Sequence, residues 1–347
     1  MRIAQVSPLY ESVPPRYYGG TERVVSYLTE ELVRQGHEVT LFASGDSITQ
    51  ARLVSCSDRS LRLDGTCVDQ LAHHIAMLDR VARMAREFDI IHYHVDYLHF
   101  PLSRLLGVPR VTTLHGRLDL PDLVPVYREF ADEPVISVSQ AQREPLPWAN
   151  WQATVPHGLP ADLLRWSAGP GEYLAFLGRI SPEKQVDQAI AIALRARLPL
   201  KIAAKVDRAD QEYFDTTIRP LLDGPLVEYL GEIGDAEKAA FLGRAIALLF
   251  PIDWPEPFGL VMIEAMACGT PVVAYRRGSA PEVMVDGVTG FIVDGLDEAV
   301  DAVGRAASLD RRRCRSVFEE RFSAEVMARQ YVAVYRRMLA GPRSAAA

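Results

Sequence analysis

Two carboxylates eight positions apart, Glu256 and Glu264, stand in the segment EPFGLVMIEAMACGTP. The segment follows the apolar run IALLFPI, which reads as a strand, so it lies at that strand's carboxyl end. Pro255 and Pro257 keep the backbone around Glu256 extended, and Gly259 permits close approach of a ligand. A helix is predicted to start near Leu260, with its free N–H groups forming an anion site. Glu256 on the loop and Glu264 on the first helical turns could then flank one ligand, each accepting paired hydrogen bonds from a diol on either side of a phosphate. The same spacing suits an acid that complements a helix dipole beside a solvated glutamate, and spacing alone does not separate the two readings.

Two cations form a second candidate group. In FLGRISPEKQVDQAI a strand ends at Gly178, Arg179 follows, Ser181 can cap a helix and Pro182 suits its first position, so Lys184 falls on the first helical turn. Helix dipoles favour acids at that place, and an anion between Arg179 and Lys184 would resolve the conflict. A diphosphate suits a fork-shaped arginine and a point-charge lysine, while two surface cations are the plainer alternative. Gly19 and Gly20, in RYYGGTERVV, occupy the place of a phosphate loop, although the G-x-G-x-x-G and Walker patterns are absent.

His115 ends the strand-like run RVTTLH, where an imidazole can reach a ligand hydroxyl or serve structure alone. His92, His94 and Asp96, in IIHYHVDYLHF, share one strand face and raise the metal question, as does the neighbouring His99; lining a sugar pocket is the competing reading. His157, in TVPHGLP, borders the junction between the two halves of the chain. His73 and His74 read as solvated helix positions, and Arg276–Arg277 and Arg311–Arg312–Arg313 as solvated faces rather than a membrane patch. No D-x-D triplet of the kind that holds a divalent ion beside a nucleotide occurs.

The elements that must position these residues alternate. IAQVSPL, EVTLFAS, DIIHYH, RVTTLH and PVISVS read as strands, and between the first two lies the helix TERVVSYLTEELVRQGH. Thr21 is its expected N-cap, Val24, Val25, Leu28 and Leu32 make one apolar face, and Gly36 ends it. HGLPADLLRWSAGPGEY carries turn signals without a period and reads as a linker. A second alternation follows, with strands YLAFLGR, LKIAAKV, VEYLGEI, IALLFPI, PVVAY and FIV. The expected class is α/β, as two Rossmann-like doubly wound parallel-sheet domains, residues 1–160 and 170–322, facing a central cleft. A last helix over about 323–340 has no strand after it and is expected to pack back on the first domain, and the tail GPRSAAA is expected to fray.

The 347 residues suit about two domains. With 48% apolar and 24% charged residues the chain is no disordered polymer, and its net charge of −7 argues against a nucleic-acid partner. No apolar run approaches the roughly 18 residues that span a bilayer, and the opening MRIAQVSPLYESVPP reads as a first strand rather than an export signal. A cytoplasmic protein with reduced Cys56, Cys67, Cys268 and Cys314 is therefore expected.

Together, EPFGLVMIEAMACGTPVVAY, FLGRISPEK, YGGTERVVSYLTEELVRQGHEVTLFASGDS and GSAPEVMVDGVTGFIV resemble the retaining glycosyltransferases of family 4, from Ile3 to about Val293. The resemblance implies a GT-B fold and transfer of a hexose from a UDP-glucose or GDP-mannose type donor to a hydroxyl acceptor, without metal or cofactor. It implies that Glu264 binds the ribose hydroxyls, and that Glu256 holds the transferred sugar with help from the backbone of Pro257, Phe258, Gly259 and Leu260. Arg179 and Lys184 would bind the diphosphate, Gly19 and Gly20 approach it, Gly231, Glu232 and Ile233 lie by the base, and His115 touch the sugar near its reacting carbon. His94, Asp96 and His157 fall to the acceptor side, His157 standing where many relatives carry Asn. A front-face reaction is expected, with peripheral membrane contact allowed. A nucleotide-sugar epimerase, a glycan phosphorylase and a non-catalytic sugar-binding module are the rival readings.

Overall fold

The computed structural model describes residues 1–17 and 19–341. The expected fraying of the tail falls on Pro342–Ala347, outside the described residues. Two compact units are formed: unit 1 comprises Met1–Gly158 and the chain from Ala324 onward, and unit 2 comprises Leu159–Ser323.

Unit 1 is built on seven strands: β1 (Arg2–Val6), β2 (Glu38–Ala43), β3 (Arg52–Ser55), β4 (Ile90–Tyr93), β5 (Arg110–Thr113), β6 (Val135–Ser137) and β7 (Trp151–Thr154). They form one sheet in the order β3-β2-β1-β4-β5-β6-β7. Every pairing is parallel. One face is apolar: Ala4, Val6, Phe42, Ile91 and Tyr93 pack against Met77, Leu78 and Val81 of the helix Gln70–Met84. Each Val, Leu, Ile, Met or Phe side chain among them contributes roughly 1.5–3 kcal/mol on burial. The other face carries a buried polar stripe, Gln5, His92 and Thr113, which meets Tyr331 and Tyr335 of the helix Ala324–Leu339. The pleat explains the contrast, since alternate residues of each strand face opposite sides.

Unit 2 has six parallel strands: β8 (Tyr173–Ile180), β9 (Leu200–Val206), β10 (Val227–Gly231), β11 (Ala245–Phe250), β12 (Val272–Tyr275) and β13 (Gly290–Val293), in the order β10-β9-β8-β11-β12-β13. Leu174, Phe176, Ile202, Leu249 and Val273 pack against Val186, Ile190 and Ala193 of the helix Val186–Ala196.

Three local readings need correction. β3 and β7 have no predicted counterpart; both are edge strands with partly exposed residues throughout, so they lack the continuous apolar run that marks a buried parallel strand. The segment read as a linker is largely fastened to unit 2: Leu159 and Leu164 are buried, and Ser167 N–H donates to the Cys268 carbonyl at 3.1 Å. The helix Gly20–Arg34 begins at Gly20 with Gly19 in the capping place and no side-chain cap bond, which puts Thr21 inside it. Gly36 does take the left-handed conformation after the helix, with φ +81°. All four cysteines are free.

Candidate active site

In unit 2 the strand order reverses between β8 and β11, and open α/β sheets bind ligands at the carboxyl ends of strands at such a point. Both strands deliver a charged residue there. After β8 the chain makes a tight turn, closed by Lys184 N–H to the Ser181 carbonyl at 3.0 Å and Gln185 N–H to the Pro182 carbonyl at 3.1 Å. Gln185 is left-handed, with φ +50°, and the helix starts only at Val186. Lys184 therefore sits in a 3₁₀ turn rather than on the first α-helical turn, because the left-handed Gln185 separates it from the helix.

After β11 the chain runs through Trp254 to Glu256. Lys184 Nζ donates to Glu256 Oε2, and Trp254 Nε1–H donates to the same oxygen at 3.1 Å. The ammonium lies 4.8 Å from the centre of the Trp254 ring. The Lys184 and Glu256 side chains are 16% and 13% exposed, so the pair is well sheltered yet still reaches solvent. Asp253 N–H bonds the Glu183 carbonyl at 2.9 Å, tying the two loops together.

The Glu256 loop has a backing that sequence reasoning missed. Gly278 has φ +50°, and a Cβ there would come within 2.4 Å of both the N and O of Glu256. Ser279 N–H donates to the Glu256 carbonyl at 3.0 Å, and its hydroxyl donates to the Phe258 carbonyl at 2.8 Å. The available signal was Gly278–Ser279 itself, the opening of GSAPEV. Pro257 and Phe258 are buried below the loop. Gly259 turns the chain with φ +77° into the helix Leu260–Ala267, whose first N–H groups have no side-chain cap.

Glu264 is 4% exposed and accepts from Lys238 Nζ at 2.8 Å. Lys238 also lies 3.3 Å from Asp235. It was missed because DAEKAAFLG has the composition of a solvated helix, and only the fold turns this side chain onto Glu264. Gly231 closes β10 with φ +74°, and Glu232 and Ile233 follow it into the helix that carries Lys238. Each acid of the Glu256–Glu264 pair is thus matched by a lysine. Arg179 does not join them by a direct bond: it lies within β8 and faces Glu183 at 2.6 Å, Asp207 at 3.5 Å and Asp210 at 3.8 Å. It is 32% exposed, beside three nearby carboxylates.

In unit 1, His94 and His157 are buried, whereas Asp96 is exposed and left-handed with φ +48°. His94 is bonded at both ring nitrogens, to His115 Nε2 at 2.9 Å and Gln5 Oε1 at 2.8 Å. His92 likewise spends both nitrogens on Tyr335 and Thr113, each at 2.7 Å, and His99 on Ser103 and Thr112. His157 stacks on His115 with ring centres 5.2 Å apart. Burial lowers the pKa of His92, His94, His99, His115 and His157. No cluster of three or more metal-ligating side chains occurs among the described residues, and no helix there is long and apolar enough to cross a membrane.

Two further expectations fail. His74 is buried rather than solvated, accepting from Leu9 N–H at 3.1 Å, because its face of the helix covers the first sheet. Arg311 is no solvated residue: it donates to the carbonyls of Ser167, Ala245 and Gly243 and to the Thr270 hydroxyl, at 2.8–3.1 Å.

Residues 18–151 match the family model for Glycosyltransferase Family 4, and residues 167–316 match that for Glycosyl transferases group 1. A D-inositol 3-phosphate glycosyltransferase of Mycolicibacterium smegmatis is 31% identical, over 80% of this chain and 76% of the relative. The structure of AviGT4, a glycosyltransferase involved in avilamycin A biosynthesis, superposes with a TM-score of 0.77 at 26% identity, covering 98% of both chains. Anabaena HepE, solved with UDP-glucose, shares the fold with a TM-score of 0.72 at 19% identity, over 97% of this chain and all of HepE. Sequence motifs, two doubly wound units and these matches agree: the chain is a glycosyltransferase of family 4 with the GT-B fold.

Proposed function

We propose that this enzyme transfers a hexose from a nucleotide-diphosphate sugar, of UDP-glucose or GDP-mannose type, to a hydroxyl acceptor with retention and without a metal ion. The observation that carries the reading is the Lys184–Glu256 pair under Trp254, held where β8 and β11 diverge and four residues ahead of a helix start. The bond that breaks joins the anomeric carbon to a diphosphate oxygen, which takes the electron pair. Lys184, Arg179 and the helix beginning at Leu260 are suited to that growing negative charge. Glu256 is suited to the sugar hydroxyls and Glu264 to the ribose diol. From unit 1 the proposal retains Gly19–Gly20 as phosphate contacts and His115 as a contact of the transferred sugar. The acceptor oxygen attacks on the face the phosphate leaves, and its proton passes to a leaving phosphate oxygen. HepE's binding of UDP-glucose supports a nucleotide-sugar donor.

The test is a screen of UDP-glucose, GDP-mannose and ADP-glucose against simple hydroxyl acceptors, reading nucleotide release and the product's anomeric configuration by NMR. Acceptor-dependent release, a retained anomer and activity undiminished by EDTA are expected. Lys184→Ala and Glu256→Gln each lower turnover by about a hundredfold or more. An inverted product, a trapped covalent glycosyl-enzyme, or a Lys184→Ala enzyme of full activity would sink the mechanism.

A further inference from the structure

The polar stripe on the first sheet is a continuous hydrogen-bonded chain. A sheet face buried under a helix is normally apolar, and a buried polar group is tolerated only when bonded. Gln5 is in register with His92, which places the two side by side on neighbouring strands. The Gln5 amide nitrogen donates to the Tyr335 hydroxyl at 3.2 Å. Tyr335 meets His92 Nδ1, and His92 Nε2 meets Thr113 Oγ1, each at 2.7 Å; Thr113 in turn meets the Tyr331 hydroxyl at 3.0 Å. In the other direction the Gln5 carbonyl oxygen faces His94 Nε2, and His94 Nδ1 faces His115 Nε2.

Proton counting gives this chain a direction. A carbonyl oxygen only accepts, so His94 carries its hydrogen on Nε2. A neutral imidazole has one N–H, so His94 Nδ1 accepts and His115 carries its hydrogen on Nε2. Burial favours the neutral form of both rings. His115 Nδ1 is then a bare lone pair, and it has no hydrogen-bond partner among the described residues. With a reversed Gln5 amide every step would invert, so Gln5 is the point that sets the polarity, and the Tyr335 hydroxyl, which can accept from its amide nitrogen, closes its other end.

We infer that Gln5 and Tyr335 are positioning residues of this glycosyltransferase: through His94 they hold His115 as the Nε2–H tautomer, so that its Nδ1 accepts a hydrogen bond from a hydroxyl of the transferred sugar. The inference rests on the proposed role of His115. It makes the helix Ala324–Leu339, through Tyr335, a determinant of chemistry at the end of β5.

The full-length protein, labelled with ¹⁵N in histidine, is examined by long-range ¹H–¹⁵N correlation, which separates the two neutral tautomers. In the unchanged enzyme His115 shows the Nε2–H pattern across neutral pH. Gln5→Met, which keeps volume but loses both hydrogen bonds, gives a measurable Nδ1–H population. It also lowers kcat on the order of tenfold with donor KM changed less than about twofold. Tyr335→Phe, the gentler change should Gln5→Met fail to fold, moves both readouts in the same direction by less. An Nδ1–H tautomer in the unchanged enzyme, or a Gln5→Met enzyme with the original tautomer and kcat, overturns the role of Gln5 and Tyr335. His115→Ala with undiminished transfer instead overturns the assignment of His115 to the sugar, and the NMR result does not depend on that outcome.

Discussion

At the scale of single residues, the candidate site depends on a carboxylate whose loop has no room to move. Gly278 presses its Cα against the Glu256 backbone, and the added Cβ of an alanine would meet Glu256 N and O at 2.4 Å. Gly278→Ala should therefore displace Glu256 from Lys184 and from Trp254. At φ +50° the alanine also carries backbone strain, and a loss of about 1–3 kcal/mol in unfolding free energy is expected. Donor KM should rise with it. A Gly278→Ala enzyme with unaltered donor KM would show that the loop does not position Glu256.

The buried histidines give the residue scale a second prediction, in pH. Desolvation holds His74, His92, His94, His99 and His157 below the ordinary value of 6.5. The unfolded chain thus binds more protons than the folded one once pH falls below about 6.5, and stability must fall as pH falls. The loss begins near the unfolded value and continues downward, at up to about 1.4 kcal/mol per pH unit for each histidine. Asp46 and Asp89, held below their ordinary values, contribute their losses lower on the scale, whereas Asp96 and Glu22, whose carboxyls desolvation raises (Asp96 to about 6), work against the trend; between 6.5 and 5 the five histidines outnumber these two, and the net change is a loss. Urea unfolding at pH 7.5 and 5.5 checks this, and equal stabilities at the two values would contradict it.

At the scale of elements, most of the strands that were legible are buried on both faces, and the half-exposed edge strand β10 is the exception. β1, β8 and β11 announce themselves as apolar runs, whereas β3 and β7 are edge strands whose half-exposed residues carry no such mark. Glu256, Glu264 and Lys184 were legible because each follows a strand, and strand ends are where a parallel sheet places chemistry. Lys238 and Gly278 were not, because their partners Glu264 and Glu256 lie 26 and 22 positions away in sequence and meet them only through the sheet. Arg311 fails for the same reason. It heads a helix that looks charged throughout, Arg311–Arg321, yet it alone of the Arg311–Arg313 run fills its donors with three backbone carbonyls and a hydroxyl. Arg311→Met should strand those acceptors and lower stability by roughly 2–5 kcal/mol. The exposed neighbour changed as Arg312→Ala should stay within about 0.5 kcal/mol. Equal denaturant midpoints for the two variants would refute the distinction.

At the scale of the molecule, alternating strands and helices made the α/β class readable, but the tyrosines that complete unit 1 come from the far end of the chain. Tyr331 and Tyr335 are fully buried, and their hydroxyls satisfy Thr113, His92 and Gln5 across more than 200 positions of sequence. Unit 2 closes differently: Leu159 N–H bonds the Phe322 carbonyl at 2.9 Å, and Leu159 bridges Ser323, so both of its ends are fastened within it. Ending the chain before Ala324 should therefore affect the two units unequally. Unit 1 loses the cover of its polar stripe, leaving the Gln5 amide nitrogen and His92 Nδ1 without their Tyr335 partner, and the face of the helix Gly20–Arg34 that packs on the last helix is uncovered. Unit 2 keeps the core formed by Leu174, Ile202, Leu249 and the helix Val186–Ala196. Limited proteolysis of the shortened chain, read by mass spectrometry, should leave a resistant fragment spanning about Leu159–Ser323 while the first 158 residues are digested. Survival of both units at the same protease concentration would mean that the last helix decorates the first sheet instead of completing it.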